Sequence, residues 1–387
     1  MKKIDTIFLF IFVLVSLVTI PGCWDYREIN NLAIVSGVAI DKSSDGNGYL
    51  LTAEIVDVRG GAKEVNILSK RIQSEGKTIF DATRNMIRIS AKMLYWGHVD
   101  IVVISQDVAR KGILPIIDFL LREREPRLFL HILVSKEKTA KEMLSQQSIT
   151  TDIRSMEMKE MIETERRFVG KSPHVDLRNF INTLAGEGQA PVLATVGIVN
   201  NEGNRTSELS GSAVFKGDKL VGFLNGEDTK FLLFVLNQIH DTLLTLNENG
   251  EDVYNGTTLE IHENKTKITP IYSNGNLSVD VDIKAKANLG ELGVRNNLID
   301  EKGVEILKRE AEKTLKSNVE KVIRKVKSEY DLDILGFGNT IKREMPSLWK
   351  SMDANWNEMF RDLDVNVHVT IDIRGSGLSQ MPIKVGE

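Results

Sequence analysis

The chain has 387 residues, of which 42% are hydrophobic and 27% charged, a mixture that excludes a disordered chain, a coiled-coil rod and a polytopic membrane protein. Its 50 basic and 54 acidic side chains give a net charge of -4 with no basic block, so we expect no nucleic-acid binding. The single cysteine excludes an intramolecular disulfide and a cysteine-rich metal site.

Residues 1–22 predict a lipoprotein signal peptide. Two lysines near the start precede an apolar run over residues 7–20, which as a helix covers only about 21 Å of the roughly 30 Å hydrocarbon core of a bilayer. Residues 17–23 then resemble a bacterial lipobox, in which the cysteine receives a diacylglyceryl group before cleavage. We therefore predict lipidation of Cys23 rather than a buried free thiol. Two acyl chains suffice for stable anchoring.

Residues 23–150 predict an N-terminal α/β domain. The dense turn signal at 41–48 joins two predicted strands, and Thr78 with Asp81 resembles a capping box that begins a helix. Strands and helices then alternate, which favours a partly parallel sheet flanked by helices. The predicted strands are 32–40, 49–58, 99–104 and 128–134, and the predicted helices include 79–90, 113–121 and 140–144.

Residues 151–205 are predicted to form a helical bridge or a small second domain, and residues 206–387 a C-terminal α+β domain. The predicted fold class is therefore α+β (mixed α/β), with two to three domains, each a β-sheet flanked by helices. The C-terminal elements are a hairpin over 211–224, a helix over 227–239, long strands over 259–271 and 277–287, a helix over 301–330 and a final alternating strand over 365–373.

No recognisable catalytic or metal-binding motif is present in the sequence. The six histidines are scattered, and no two have metal-ligand spacing on one helix. Two S-x-x-K matches occur at the frequency expected by chance and lack companion motifs. Trp349 and Trp356 are seven residues apart, which favours shared core packing over an exposed partner contact. We predict a non-enzymatic protein with no catalytic residue, no cofactor and no metal.

Several blocks resemble the Ger(x)C spore germination lipoproteins. The first blocks are Gly22–Asp25 followed by Glu28–Val35, and then Glu75–Thr78 with Arg84–Asn85 and Trp96–His98. A second set, Gly211–Lys216 and Asp218–Gly222, resembles the start of that family's second region. The likeness extends over nearly the whole mature chain, and it lies in the order and spacing of the blocks.

The resemblance implies the C subunit of a nutrient germinant receptor. Such a subunit works beside two integral membrane subunits, A and B, on the outer face of the cytoplasmic membrane, which is the inner membrane of the spore. The family has no known enzymatic activity and is described as several domains, each a sheet flanked by helices. Of functional residues, the resemblance transfers only the lipidated Cys23. Whether the subunit contacts a germinant stays open.

The alternative from another class is a solute-binding lipoprotein that delivers a small ligand to a membrane transporter. Such proteins usually have two βα-repeating lobes, and the long antiparallel pair predicted over 259–287 argues against that arrangement. A membrane-tethered hydrolase is a more distant alternative, since catalytic triads assemble from distant positions.

Overall fold

The structure is a computed structural model that describes Phe10, Phe12 and residues 31–61, 64–246, 256–292 and 301–375. Cys23 and nearly all of the predicted signal peptide lie outside the described residues. Among the described helices, none combines the length and the hydrophobicity required to cross a bilayer.

The N-terminal part of the chain builds a nine-stranded mixed sheet. Its order is β3-β2-β1-β5-β6-β7-β8-β9, and the short β4 pairs in parallel with the start of β1. Strands β1, β5, β6 and β7 are parallel to one another, whereas the flanking strands are antiparallel. The strands are β1 Leu32–Lys42, β2 Tyr49–Gly61, β3 Glu64–Gly76, β4 Met93–Tyr95, β5 Ile101–Ile104, β6 His131–Ser135, β7 Val192–Asn201, β8 Asn204–Lys216 and β9 Lys219–Leu224.

Helices cover both faces of this sheet, as expected for buried parallel strands. One face packs against α1, α2, α3 and α6, and the other against α4 and α5. The predicted cap begins α1, because Thr78 Oγ1 accepts the N–H of Asp81 at 3.1 Å. The helices are α1 Ile79–Ser90, α2 Gln106–Lys111, α3 Leu114–Arg122, α4 Lys141–Ser145, α5 Arg154–Phe168 and α6 Leu177–Ala185.

The C-terminal part builds a four-stranded sheet of order β10-β11-β12-β13, covered by a long helix. The β12–β13 pair is parallel, so the chain crosses over between them through α8 to α11. The elements are β10 Thr242–Leu246, β11 Thr257–Ser273, β12 Asn276–Glu291, α8 Glu301–Glu329, α9 Phe337–Glu344, α10 Pro346–Met352, α11 Trp356–Asp362 and β13 Asp364–Gly375.

Helix α7, Gly226–Val235, joins the two sheets and is buried along almost its whole length. Thr229 shares a hydrogen bond of 2.9 Å with Ser212 of β8, and the carbonyl of Phe234 accepts from Asn264 and Thr266 of β11. Side chains at the ends of β7, β8 and β9 belong to the same hydrophobic core as the smaller sheet. The ends of these three strands and helix α7 therefore pack the larger sheet onto the core of the smaller one.

The predicted α+β fold class with helix-flanked sheets is confirmed. The boundary predicted at 205/206 falls inside the β7–β8 hairpin, because Asn201 pairs with Asn204 and both strands belong to the larger sheet. Trp349 and Trp356 are both buried, with ring centroids 5.5 Å apart, so the core-packing interpretation is confirmed.

Candidate functional site

A cleft of about 590 Å³ lies where the two halves meet. Its walls come from the end of α5, the start of α7, strand β10 and one face of α8. The lining residues are Phe168, Val169, Lys171, Glu227, Asp228, Lys230, Phe231, Thr242, Leu243, Leu244, Thr245, Asn318 and Lys321. Acidic residues in the first turn of α7 are favoured there by the helix dipole.

Most charges of this cleft form ion pairs within the protein. Glu227 contacts Lys171 at 2.5 Å and Lys230 at 2.8 Å, and Asp228 contacts Lys325 of α8 at 2.7 Å. The burial of Glu227 acts to raise its pKa, but its two lysine partners outweigh that effect and hold the pKa below the usual range. A charged ligand in the cleft would have to replace these pairs.

Buried charges fix the start of α5 on the larger sheet. The carboxylate of Glu54, in β2, accepts the N–H groups of Arg154 at 2.9 Å and Ser155 at 2.8 Å, which satisfies the first turn of the helix. Arg154 pairs with Glu157 one turn later, and both side chains are buried. This arrangement sets the direction of α5 and therefore the position of the acidic groups near its other end.

A cluster of His131, Glu163 and His174 forms beside α5. His174 Nε2 lies 3.1 Å from a Glu163 oxygen, and the two imidazole rings are 4.9 Å apart between centroids. Burial and the neighbouring His174 lower the pKa of His131, which favours the neutral ring. Burial acts to raise the pKa of Glu163, but the bond to His174 outweighs it and holds the pKa below its usual range.

The ligand atoms of this cluster all lie within 4.8 Å of one another. Two imidazoles and one carboxylate are a donor set that Zn²⁺ accepts, and His131 Nδ1 faces the Val175 carbonyl oxygen at 3.4 Å, as an orienting partner of a ligand would. Without a metal, Glu163 and His174 hydrogen-bond to each other, and the His131 ring packs edge-on against the His174 ring. The arrangement is therefore consistent with a purely structural role that ties α5 to β6.

Glu165, in the last turn of α5, holds the segment that follows the helix. Its buried carboxyl accepts the N–H of Lys171, and its carbonyl accepts the N–H groups of Val169 and Gly170 at 2.9 Å each. Burial raises the pKa of Glu165 to about 7, against the opposing effect of backbone hydrogen bonds. This segment carries both Lys171 of the cleft and His174 of the cluster.

The raised pKa of Glu165 predicts a pH-dependent stability. The folded chain keeps this proton up to about pH 7, whereas the unfolded chain releases it above its ordinary value of 4.5. The group therefore lowers stability as pH rises between these values, by at most about 3 kcal/mol. Urea unfolding should show wild type gaining stability relative to Glu165→Gln between pH 7.5 and pH 5.5. The exposed Glu160→Gln should track wild type; equal pH dependence in all three would contradict the prediction.

A second contact between the halves surrounds the buried Asp333. Its carboxylate accepts the N–H groups of Leu335, Gly336 and Gly338 at 3.0, 2.8 and 2.7 Å and the indole N–H of Trp356 at 3.2 Å. Burial raises the pKa of Asp333 to about 6, while these hydrogen bonds act in the opposite direction. Residues 333–338, called the Asp333 loop below, thus fold around one carboxyl group.

The segment 187–190 between α6 and β7 rests against this loop. The carbonyl of Asp333 accepts the N–H of Ala190 at 2.7 Å, and the carbonyl of Gly188 accepts the N–H of Asn339 at 3.1 Å. A Cβ at Gly188, whose φ is +81°, would lie 2.6 Å from the carbonyl carbon of Gly338. Close backbone approach therefore requires glycine at this position.

Sequence reasoning proposed one site residue, Cys23, and it lies outside the described residues. It did not identify the His131, Glu163 and His174 cluster, because these residues come from a strand, a helix and a loop with no regular spacing between them. No spacing signal marks them. The same holds for the cleft and for the Asp333 loop, which depend on the packing of the two halves.

Two family models match the chain. Residues 25–198 match the model described as "Spore germination protein N-terminal domain", and residues 210–377 match "Spore germination B3/ GerAC like, C-terminal". Among curated proteins of Bacillus subtilis (strain 168), spore germination protein KC is 25% identical over 97% of both chains. Spore germination protein B3 is 24% identical over 93% of this chain and 96% of its own length.

A solved structure shares the fold. The crystal structure of the GerBC protein aligns with a TM-score of 0.57 over 90% of this chain and 99% of that chain, at 20% sequence identity. The shared fold therefore covers most of this chain and nearly all of that chain.

Proposed function

Since the chain belongs to the GerAC-like family of spore germination proteins, we propose that it is the lipid-anchored, non-enzymatic C subunit of a nutrient germinant receptor. In this role it acts in germination through contacts with the integral membrane A and B subunits. The observation that carries the proposal is the match of both family models, in order, over residues 25–198 and 210–377.

The proposed anchor is a diacylglyceryl group on Cys23, which places the protein on the outer face of the cytoplasmic membrane, the inner membrane of the spore. The lipobox-like residues 17–23 support this part of the proposal. The net charge of -4 does not favour attraction of the whole chain to anionic lipid, so a covalent anchor is the simplest means of retention.

Delivery of a solute to a transporter, the alternative function, has less support. The larger sheet mixes parallel and antiparallel strands and the smaller sheet is mostly antiparallel, which differs from two βα-repeating lobes. The cleft between the halves is large enough for a small molecule, but the carboxylates of Glu227 and Asp228 are already paired with lysines.

Cross-linking in isolated spore membranes tests the partner contacts. We expect the full-length, tagged chain to form covalent products with integral membrane A and B subunits. The matched control keeps residues 1–30 but joins them to an unrelated folded domain, so that only the proposed anchor is shared. If both proteins give the same cross-linked products, the folded body does not select these partners and the subunit proposal is wrong.

A further inference from the structure

Among the side chains that the structure describes, seven large exposed hydrophobic ones lie near the end of the larger sheet where β1 begins, beside the β2–β3 hairpin that extends beyond Val58 and Ile67. We call this set the β1-end surface. Side chains of this type are individually common on protein surfaces, but their collection at one end of one sheet is not. The members are Val58, Ile67, Leu68, Ile89, Met93, Leu128 and Phe129.

Strand register places the first members of this set together. Val35 of β1 pairs with Ile55 of the antiparallel β2, and continuing this register brings Val58 to the level of Leu32. Val58 itself pairs with Ile67 of β3. On the other side of β1, Met93 pairs directly with Leu32.

The remaining members reach the same end through the chain direction of their elements. Ile89 lies in the last turn of α1, just before β4 begins with Met93. Leu128 and Phe129 lie two to three residues before β6, whose first residue pairs with the first residue of β5. Since β1, β5 and β6 are parallel, the segments that lead into these strands lie at the same end of the sheet.

Basic side chains surround the apolar members, although the whole chain has a net charge of -4. Arg88, Lys92, Arg127 and Arg178 are exposed there, and the Arg178 guanidinium lies 5.2 Å from the centre of the Phe129 ring. Of the nearby acidic groups, Asp57 pairs with Lys70, Asp100 pairs with Lys159 and Glu125 accepts the N–H of Trp96, whereas Glu123 lines a small pocket together with Met93. Apolar side chains rimmed by cations match an anionic lipid interface.

The covalent chain leads from this surface to the proposed anchor. Cys23 precedes Leu32 by nine residues, so the two Cα atoms are at most about 30 Å apart even in a fully extended chain. Leu32 is the first residue of β1 and pairs with Met93 of the β1-end surface. A lipid on Cys23 therefore keeps this end of the sheet near the membrane.

We propose that the β1-end surface rests on the lipid bilayer, with its apolar side chains at interfacial depth and its basic side chains on anionic headgroups. This inference depends on the proposed lipid anchor at Cys23. It adds a fixed orientation, in which the opposite end of the larger sheet points away from the membrane. The occupant is the bilayer itself rather than a protein partner.

Depth-dependent quenching tests this orientation in the full-length lipoprotein reconstituted in vesicles that contain phosphatidylglycerol and nitroxide-labelled lipids. Because the natural chain has only Cys23, which carries the lipid, an introduced cysteine is the only free thiol available for a fluorophore. Val58→Cys and Ile89→Cys report on the proposed surface, where the native side chains are 62% and 61% exposed. The matched control is Leu114→Cys, because Leu114 is 56% exposed and follows Lys111, whose ammonium group donates to the Gly46 carbonyl in the turn at the other end of β1.

We expect quenching at positions 58 and 89 to exceed that at position 114 by at least about threefold, with a blue shift of the label emission. Arg127→Glu combined with Arg178→Glu should reduce this quenching in phosphatidylglycerol vesicles and leave it unchanged in phosphatidylcholine vesicles. Equal quenching at all three positions would overturn the orientation, as would labels that are protected only after integral membrane subunits are added.

The test also separates this inference from the anchor on which it depends. Flotation of each labelled protein with the vesicles reports on the lipid at Cys23, whereas quenching reports on the orientation. If no variant floats, the proposed anchor is wrong and the orientation falls with it. If all variants float but the labels at 58 and 89 stay in water, the anchor stands and only the orientation is wrong.

Discussion

Replacing Asp333 by alanine is expected to lower the free energy of unfolding by about 3–5 kcal/mol. The side chain is 2% exposed, and its carboxylate accepts three backbone N–H groups and the indole N–H of Trp356. Alanine would leave these donors buried without their acceptor, and an unsatisfied buried donor is more destabilising than the loss of a typical hydrogen bond. The loop also supports the segment that joins the two halves, through Ala190.

Urea unfolding followed by circular dichroism measures this effect, with two comparison variants. Asp333→Asn keeps the shape but turns an amide donor toward other donors, so it should lie between wild type and Asp333→Ala. The exposed Asp362→Ala should change stability by less than about 0.5 kcal/mol. A value for Asp333→Ala within about 1 kcal/mol of wild type would show that the loop does not depend on this carboxylate.

Cys23→Ala is expected to remove the protein from the spore membrane fraction. Without the thiol, no diacylglyceryl group can be attached. Binding would then depend on the β1-end surface alone, which is weak and reversible in the absence of a second signal. Fractionation of spore lysates, with the chain detected by a C-terminal tag, should show a decrease of about tenfold or more in the membrane-bound share.

The control for this prediction is Cys23→Ala fused to an unrelated single transmembrane helix, which restores retention by a different route. If that fusion recovers membrane association and nutrient response, the lipid serves as an anchor and has no further chemical role. An unchanged membrane share for Cys23→Ala itself would contradict lipid anchoring, and other contacts would then account for retention.

Elements with a strong periodic pattern could be predicted from the sequence. Helix α8 was expected over 301–330 because apolar residues recur every three or four positions, and it covers Glu301–Glu329. The last strand was expected over 365–373 from strict alternation, and it covers Asp364–Gly375. In both cases the pattern directly reflects one buried face, so local sequence is sufficient.

Other features depend on contacts that no local pattern encodes. Strand β3 is an edge strand with a polar stretch at Ser69, Lys70 and Arg71, so it lacks the apolar signal of a central strand. The sheet extends through the predicted boundary at 205/206 because β7 and β8 pair across a tight turn. The β1-end surface is likewise assembled from separate segments, which strand register and chain direction bring together.

The candidate sites follow the same division. The lipobox-like motif before Cys23 is contiguous in sequence and could be recognised there, whereas Glu165 and Asp333 owe their raised pKa values to burial in the folded chain. Acidic residues are abundant in the sequence, and nothing local distinguishes these two from exposed ones. Their importance arises from the backbone N–H groups that surround them.

The most direct test of the receptor-subunit proposal is the germination of purified spores that lack the gene, followed as the fall in optical density after nutrients are added. The same spores receive a trigger that bypasses nutrient receptors. We predict a weakened nutrient response with a normal bypass response, restored by the wild-type gene and not by Cys23→Ala. An unchanged nutrient response, in a strain whose other nutrient receptors have also been deleted, would contradict the proposal.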